Sequence, residues 1–135
     1  MGNVQSTKKV SYEDIQLIIK QGMSNLLLIN TLGLNEQDCL IPNTMNANLE
    51  EKIINDNIKN KKINIVLYGK NAGDKNLEKK YIKLNEIGFT NIYIYPGGLF
   101  EWLCLQDIYG ETNFPTTKKE LDILKYKPKN VFSNF

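Results

Sequence analysis

The chain contains no histidine and no arginine, and only two cysteines, Cys39 and Cys104. Without histidine, neither a Ser-His-Asp nor a Cys-His pair can form within it. A histidine-containing zinc site is excluded for the same reason, and two cysteines are too few for an all-cysteine site. The cysteines lie far apart and match no metal spacing, so a disulfide framework is not expected and a cytosolic, reducing setting fits. All 17 basic residues are lysines. Bidentate guanidinium recognition of phosphate or carboxylate is therefore absent. A net charge of +2 is too small to indicate a nucleic-acid binder. No apolar run approaches the about 20 residues that span a bilayer, and the polar start MGNVQSTKK is not a secretory leader. No cofactor is implied.

What is present suffices for one ordinary domain: 135 residues, 41% of them apolar, which is enough to bury a core. Residues 1–10 read as a flexible polar arm. Ser11 opens S-Y-E-D, an N-cap with an acid three positions on, which predicts a helix over 12–21 that Gly22 ends. Ile15, Ile18 and Ile19 form its apolar face. Leu26 to Ile29 is a short continuous apolar run, expected as a strand buried on both faces. Residues 32–43 read as irregular, with Pro42 a breaker, and Thr44 to Ala47 as a short strand. Asn48 is the expected cap of a helix near 49–59.

The segment from Ile63 to Trp102 carries the most information. Ile63 to Tyr68 is a strand, GKNAGD a polar loop, and Asp74 the cap of a helix over 75–87 that stops at Gly88. Leu77, Tyr81, Leu84 and Ile87 share its core face. Asn91 to Tyr95 is the next strand, followed by Pro96-Gly97-Gly98 and a helix from Leu99 to about Leu105. Cys104 lies in apolar LFEWLCL and is expected in the core. Glu101 reads as a solvated position. Thr117 with Glu120 predicts a further capped helix over 118–125, with Phe114, Leu121, Leu124 and Tyr126 packing back on the sheet. Lys125 to Phe135 reads as a loose tail. Alternating strands and helices imply a largely parallel sheet covered on both faces.

These residues carry a resemblance to the rhodanese-like domain, over roughly Lys9 to Leu105. Val66-Leu67-Tyr68 and Gly69 to Asp74 resemble the family's strand and active-site loop. Gly97, Gly98 and Trp102 resemble its later G-G-x-x-x-W pattern. The family's Asp-x-Arg falls on Asn30-Thr31-Leu32, and its H-I-P-G-A on Leu40-Ile41-Pro42-Asn43-Thr44, where Ile41 and Pro42 match. The resemblance implies a rhodanese-like α/β fold over residues 11–105, with a C-terminal extension over 106–135 either packed on the domain or trailing it. It also implies a sulfurtransferase ancestry whose nucleophilic Cys position is Gly69.

In active members, loop amides and the following helix N-terminus cradle an anionic sulfur. The loop here retains small residues, yet Asp74 would cap the free amides itself and repel an anion. The loop is therefore either a self-satisfied turn or a weak pocket for a small polar or anionic ligand. Such a pocket would use Gly69, Lys70, Asn71, Ala72, Gly73 and Asp74. The leading expectation is a catalytically inactive binding or regulatory module whose partner is a protein or a small ligand at that loop. One alternative is a sulfurtransferase using Cys39, which lacks a neighbour to activate it. Another is a purely structural protein.

Met1-Gly2-Asn3-Val4-Gln5-Ser6 fits the N-myristoylation pattern, with Gly2 as acceptor, if the chain is made in a eukaryotic cell or by a virus infecting one. Lys8 and Lys9 would then supply a weak electrostatic contact to a membrane surface.

Overall fold

The computed structural model describes residues 8–134. Gly2 and the rest of the acylation pattern lie outside the described residues. Five strands, β1 (Lys8–Lys9), β2 (Leu26–Asn30), β3 (Thr44–Met45), β4 (Asn64–Tyr68) and β5 (Ile92–Ile94), form one sheet. They alternate with four helices, α1 (Tyr12–Gln21), α2 (Glu50–Asp56), α3 (Lys75–Ile87) and α4 (Gly98–Tyr109). The strand order is β1-β5-β4-β2-β3, and every pairing is parallel. This is the mixed α/β architecture with a parallel sheet that the sequence predicts.

The central pair is the longest, with Leu26 to Asn30 in register with Asn64 to Tyr68. Side chains on these strands alternate between two apolar layers, as a period of two requires. Leu28, Val66 and Tyr68 join Ile15, Ile18, Tyr95, Leu99, Trp102 and Phe114 on one face. Ile29, Ile65 and Leu67 join Ile54, Leu77, Leu84 and Phe89 on the other. Both faces of the sheet are therefore buried, which explains why β2 and β4 read as unbroken apolar runs.

Local chemistry sets the helix ends. The Ser11 hydroxyl accepts from the Asp14 amide, and the Asp14 carboxylate accepts from the Ser11 amide at 2.9 Å, a reciprocal box. Gly22 closes α1 by donating to the Ile18 carbonyl at 3.0 Å, and Gly88 closes α3.

Several sequence expectations are corrected. Lys8 and Lys9, read as part of a free arm, pair with Tyr93 and Ile94 of β5. The Val10 amide continues that contact by donating to the Ile94 carbonyl. Asn46, not Asn48, supplies the cap near α2, accepting from the Asn48 amide ahead of a 3₁₀ turn, Ala47–Leu49. That helix stops at Asp56, because the Asn57 side chain takes up the Ile53 carbonyl at 2.8 Å. Helix α4 runs past Leu105 to Tyr109. Cys104 on it is half-buried rather than a core residue.

The helix expected over 118–125 does not form. The Thr117 hydroxyl is committed elsewhere: it accepts from the Leu40 amide at 3.0 Å and donates to the Asp38 carbonyl at 2.6 Å. Only a 3₁₀ turn, Ile123–Tyr126, remains. Phe114 and Tyr126 are buried as expected, but Leu121 and Leu124 stand in solvent.

Candidate functional site

Strand β4 ends at Tyr68, which is fully buried. Its hydroxyl accepts from the Ile41 amide and shares a hydrogen bond with Thr44 Oγ1 at 2.8 Å. The strand thereby positions the loop Gly69 to Asp74 against the segment around Ile41. The six residues singled out from the sequence are brought together here, and most of their polar groups are turned on one another.

Asp74 is the centre. One carboxylate oxygen accepts from the Asn76 amide at 2.9 Å, the N-cap of α3. The other accepts from the Lys70 amide at 3.0 Å and from Thr31 Oγ1 at 3.2 Å. The carboxylate thus sits inside the turn, where its negative charge meets the loop amide and the helix N-terminus. A β-carbon at Gly69 would lie 2.3 Å from Asp74 Oδ2 and 2.7 Å from Thr31 Oγ1. A side chain at that position would have to push the Asp74 carboxylate and the Thr31 hydroxyl out of their hydrogen bonds.

Asn71 is buried and faces both ways. Its Oδ1 accepts from the Gly73 amide at 2.9 Å, and its Nδ2 donates to the Tyr126 carbonyl at 2.9 Å. Lys70 reaches outward to Glu36 at 3.2 Å, a half-exposed pair of modest worth. Ala72 and Gly73 form the exposed tip. The start of α4 closes the other side of the loop. The Leu99 and Phe100 amides donate to the Gly69 and Lys70 carbonyls at 2.9 and 2.8 Å. Glu101, expected as a solvated position, accepts from the Tyr95 hydroxyl at 2.6 Å.

The chain's own C-terminal segment covers this region. Trp102 Nε1 donates to the Pro115 carbonyl at 2.8 Å, and Gln106 Nε2 to the Phe114 carbonyl at 2.7 Å. Tyr126 is buried in the same apolar cluster as Cys39, Tyr68 and Leu99. Cys39 is buried beneath the segment. Burial pushes its thiol above the usual range, and a Thr116 side-chain hydrogen bond opposes this only in part. A thiol held protonated in this way is a poor nucleophile. A cleft of about 550 Å³ opens between α2 and α3 beside Thr31, on the face of the sheet away from Cys39, and the Lys80–Glu50 ion pair is among its lining residues. No cluster of three or more potential metal ligands occurs among the described residues. Nor is any helix among them long and apolar enough to cross a membrane.

Two contributors were named in the sequence reading but not placed at the loop. Thr31 and Tyr126 lie 43 and 55 residues from their loop partners Asp74 and Asn71. No local signal tied either of them to Asp74 or Asn71.

Burial raises the Cys39 thiol and the Tyr68, Tyr95 and Tyr126 phenols together. In the unfolded chain these groups ionise near 9.0 for a thiol and 10.0 for a phenol. The folded chain keeps them neutral beyond those values, so the unfolded state alone releases protons there. Their contribution to stability is complete below pH 9.0 and is lost as pH rises above it. The urea midpoint should hold from pH 7 to 8.5 and fall at pH 10.5, and a flat profile would contradict this burial.

Comparison with known proteins agrees with the motif reading. The rhodanese-like domain family matches residues 18–104. Among solved structures, the BH2092 protein of Bacillus halodurans is similar over 87% of this chain and 85% of its own, at 18% identity and a TM-score of 0.62. The Alr3790 protein of Anabaena is similar over 86% and 84%, at 20% identity and a TM-score of 0.58. The single-domain sulfurtransferase RDL2 of Saccharomyces cerevisiae is similar over 80% and 98%, at 16% identity and a TM-score of 0.61. No curated protein matches the chain. The family match spans well over half the sequence, and strands β2 to β5, the loop after β4 and the Gly-Gly turn fall inside it: this chain belongs to the rhodanese-like domain family.

Proposed function

We propose that this rhodanese-like domain is a non-catalytic binding or regulatory module. The observation that carries the reading is the Asp74 carboxylate, which occupies the loop cradle and would have to move to admit a side chain at Gly69. An anionic sulfur group in the cradle would have to displace that carboxylate and would meet its charge. The exposed tip, Ala72 and Gly73 with Lys75 beside it, is what a protein or a small polar partner can reach. Myristate on Gly2 would hold the module reversibly at a membrane, since one acyl chain alone binds marginally.

The test is thiosulfate-to-cyanide sulfur transfer by the wild type, Cys39→Ala and Gly69→Cys. All three should make no thiocyanate above the protein-free rate. Gly69→Cys should in addition lower the melting temperature, because the new β-carbon collides with Asp74 and Thr31. Turnover that disappears in Cys39→Ala would instead make the chain a sulfurtransferase built on Cys39.

A further inference from the structure

The last part of the chain is anchored on one side and open on the other. Tyr126 is buried and Ile123 half-buried, while Leu121 is 83% and Leu124 62% exposed. Val131 further along is 67% exposed. These exposed apolar side chains lie on a segment otherwise fastened to the body, and lysines stand between them in the sequence.

The charge around them indicates what kind of surface they fit. Residues 115–135 hold five lysines against two acidic residues, whereas the rest of the chain holds twelve lysines against thirteen acids. The chain's excess positive charge is therefore concentrated in this segment. Lys118 and Lys119 are tied loosely to Asp38 and Glu111 at exposed positions, and Lys125 pairs with the half-buried Glu120 at 2.8 Å. Lys127 and Lys129 make no ion pair among the described residues. Lysines interleaved with exposed leucines match a surface that is anionic at the headgroups and apolar just beneath. A second copy of the same segment would be repelled by like charge. A nucleic acid would leave the leucines unmatched, and no arginine is present to grip phosphate in a fork.

We propose that the segment from Lys118 to Val131 docks on the surface of an anionic phospholipid bilayer, with Leu121 and Leu124 entering the headgroup boundary. This surface lies apart from the loop after β4. It would supply the second attachment that a single acyl chain needs, but it does not require that chain.

The experiment uses the full, unacylated protein and co-sedimentation with vesicles of phosphatidylcholine alone or mixed with phosphatidylserine. Sedimentation should appear only with phosphatidylserine. Each lysine near such a surface is worth about fivefold in partitioning. Lys127→Glu with Lys129→Glu should therefore weaken binding by about twentyfold or more, and Leu121→Ser with Leu124→Ser by several-fold. All four positions are exposed, and circular dichroism should show the fold unchanged. Lys59→Glu with Lys62→Glu, at exposed positions elsewhere, makes the same charge change and should leave binding close to the wild type. Absence of phosphatidylserine-dependent sedimentation overturns the proposal, as does an equal loss in the two lysine pairs. Because no variant touches the loop or Gly2, failure here leaves the non-catalytic reading standing, and sulfur transfer would leave this surface standing.

Discussion

Trp102→Ala should destabilise the domain by about 3–5 kcal/mol, the range for deleting a buried aromatic. Trp102 has no exposed surface. Its ring meets Tyr95 and Phe114 edge-on, with centroids 6.4 and 5.1 Å away. Those contacts add to the transfer term, and the cavity they leave has sheet on one side and the C-terminal segment on the other. The indole N–H is also the donor that holds the Pro115 carbonyl. Its loss should loosen the segment over Cys39, so a thiol reagent should label Cys39 faster in Trp102→Ala under native conditions. Trp102→Phe keeps most of the packing and loses the hydrogen bond, and should fall between. Urea denaturation measures the first effect and labelling rate the second. A loss below about 1 kcal/mol would mean the site collapses around the gap far more readily than dense packing permits.

Gly98→Ala is the second large effect, and it acts on the loop. Gly98 has φ +65°, and a β-carbon there would lie 2.6 Å from the Gly69 carbonyl oxygen and 2.9 Å from the Asn71 amide nitrogen. Both are backbone atoms, so no side-chain rotation relieves the collision. The strained φ alone costs about 1–2 kcal/mol. Relief of the clash would part the start of α4 from the loop and lengthen the Leu99 and Phe100 hydrogen bonds. Gly22→Ala provides the comparison: its φ is +58°, close to that of Gly98, but nothing lies within 4 Å of the added carbon. Both variants carry the backbone strain, and only Gly98→Ala carries the collision. Gly98→Ala should therefore melt lower, and its loop amides should exchange hydrogen faster. Equal melting temperatures would show that α4 is not seated on the loop as described.

How far the sequence could be read depended on where each hydrogen bond goes. Helices α1 and α3 coincide with the spans predicted from Ser11, Gly22, Asp74 and Gly88, because those caps are satisfied within a few residues. The helix expected from Thr117 failed because its hydroxyl bonds residues 38 and 40, far away in the chain. A cap motif states what a side chain can do locally; tertiary structure decides whether it is free to do so. The same distinction divides the site. Asp74 capping its own helix was legible, as was the lack of a nucleophile at Gly69. The Thr31 hydroxyl on Asp74 and the Tyr126 carbonyl on Asn71 were not, since nothing local connects segments so far apart. Leu121 and Leu124 show the reverse error. Apolar identity placed them in the core, while Leu124 in the 3₁₀ turn and Leu121 just before it face solvent.

The two outer strands have a consequence for association. Among the described residues each sheet edge is only two residues long, Lys8–Lys9 on one side and Thr44–Met45 on the other. So short a rim presents few unpaired amides and carbonyls for another chain to extend, and one rim consists of lysine. At the β3 edge an extended peptide would find almost no ladder to continue, which makes β-augmentation there a poor route onto this domain. A partner approaching that edge would have to be held by side chains and loops rather than by backbone pairing.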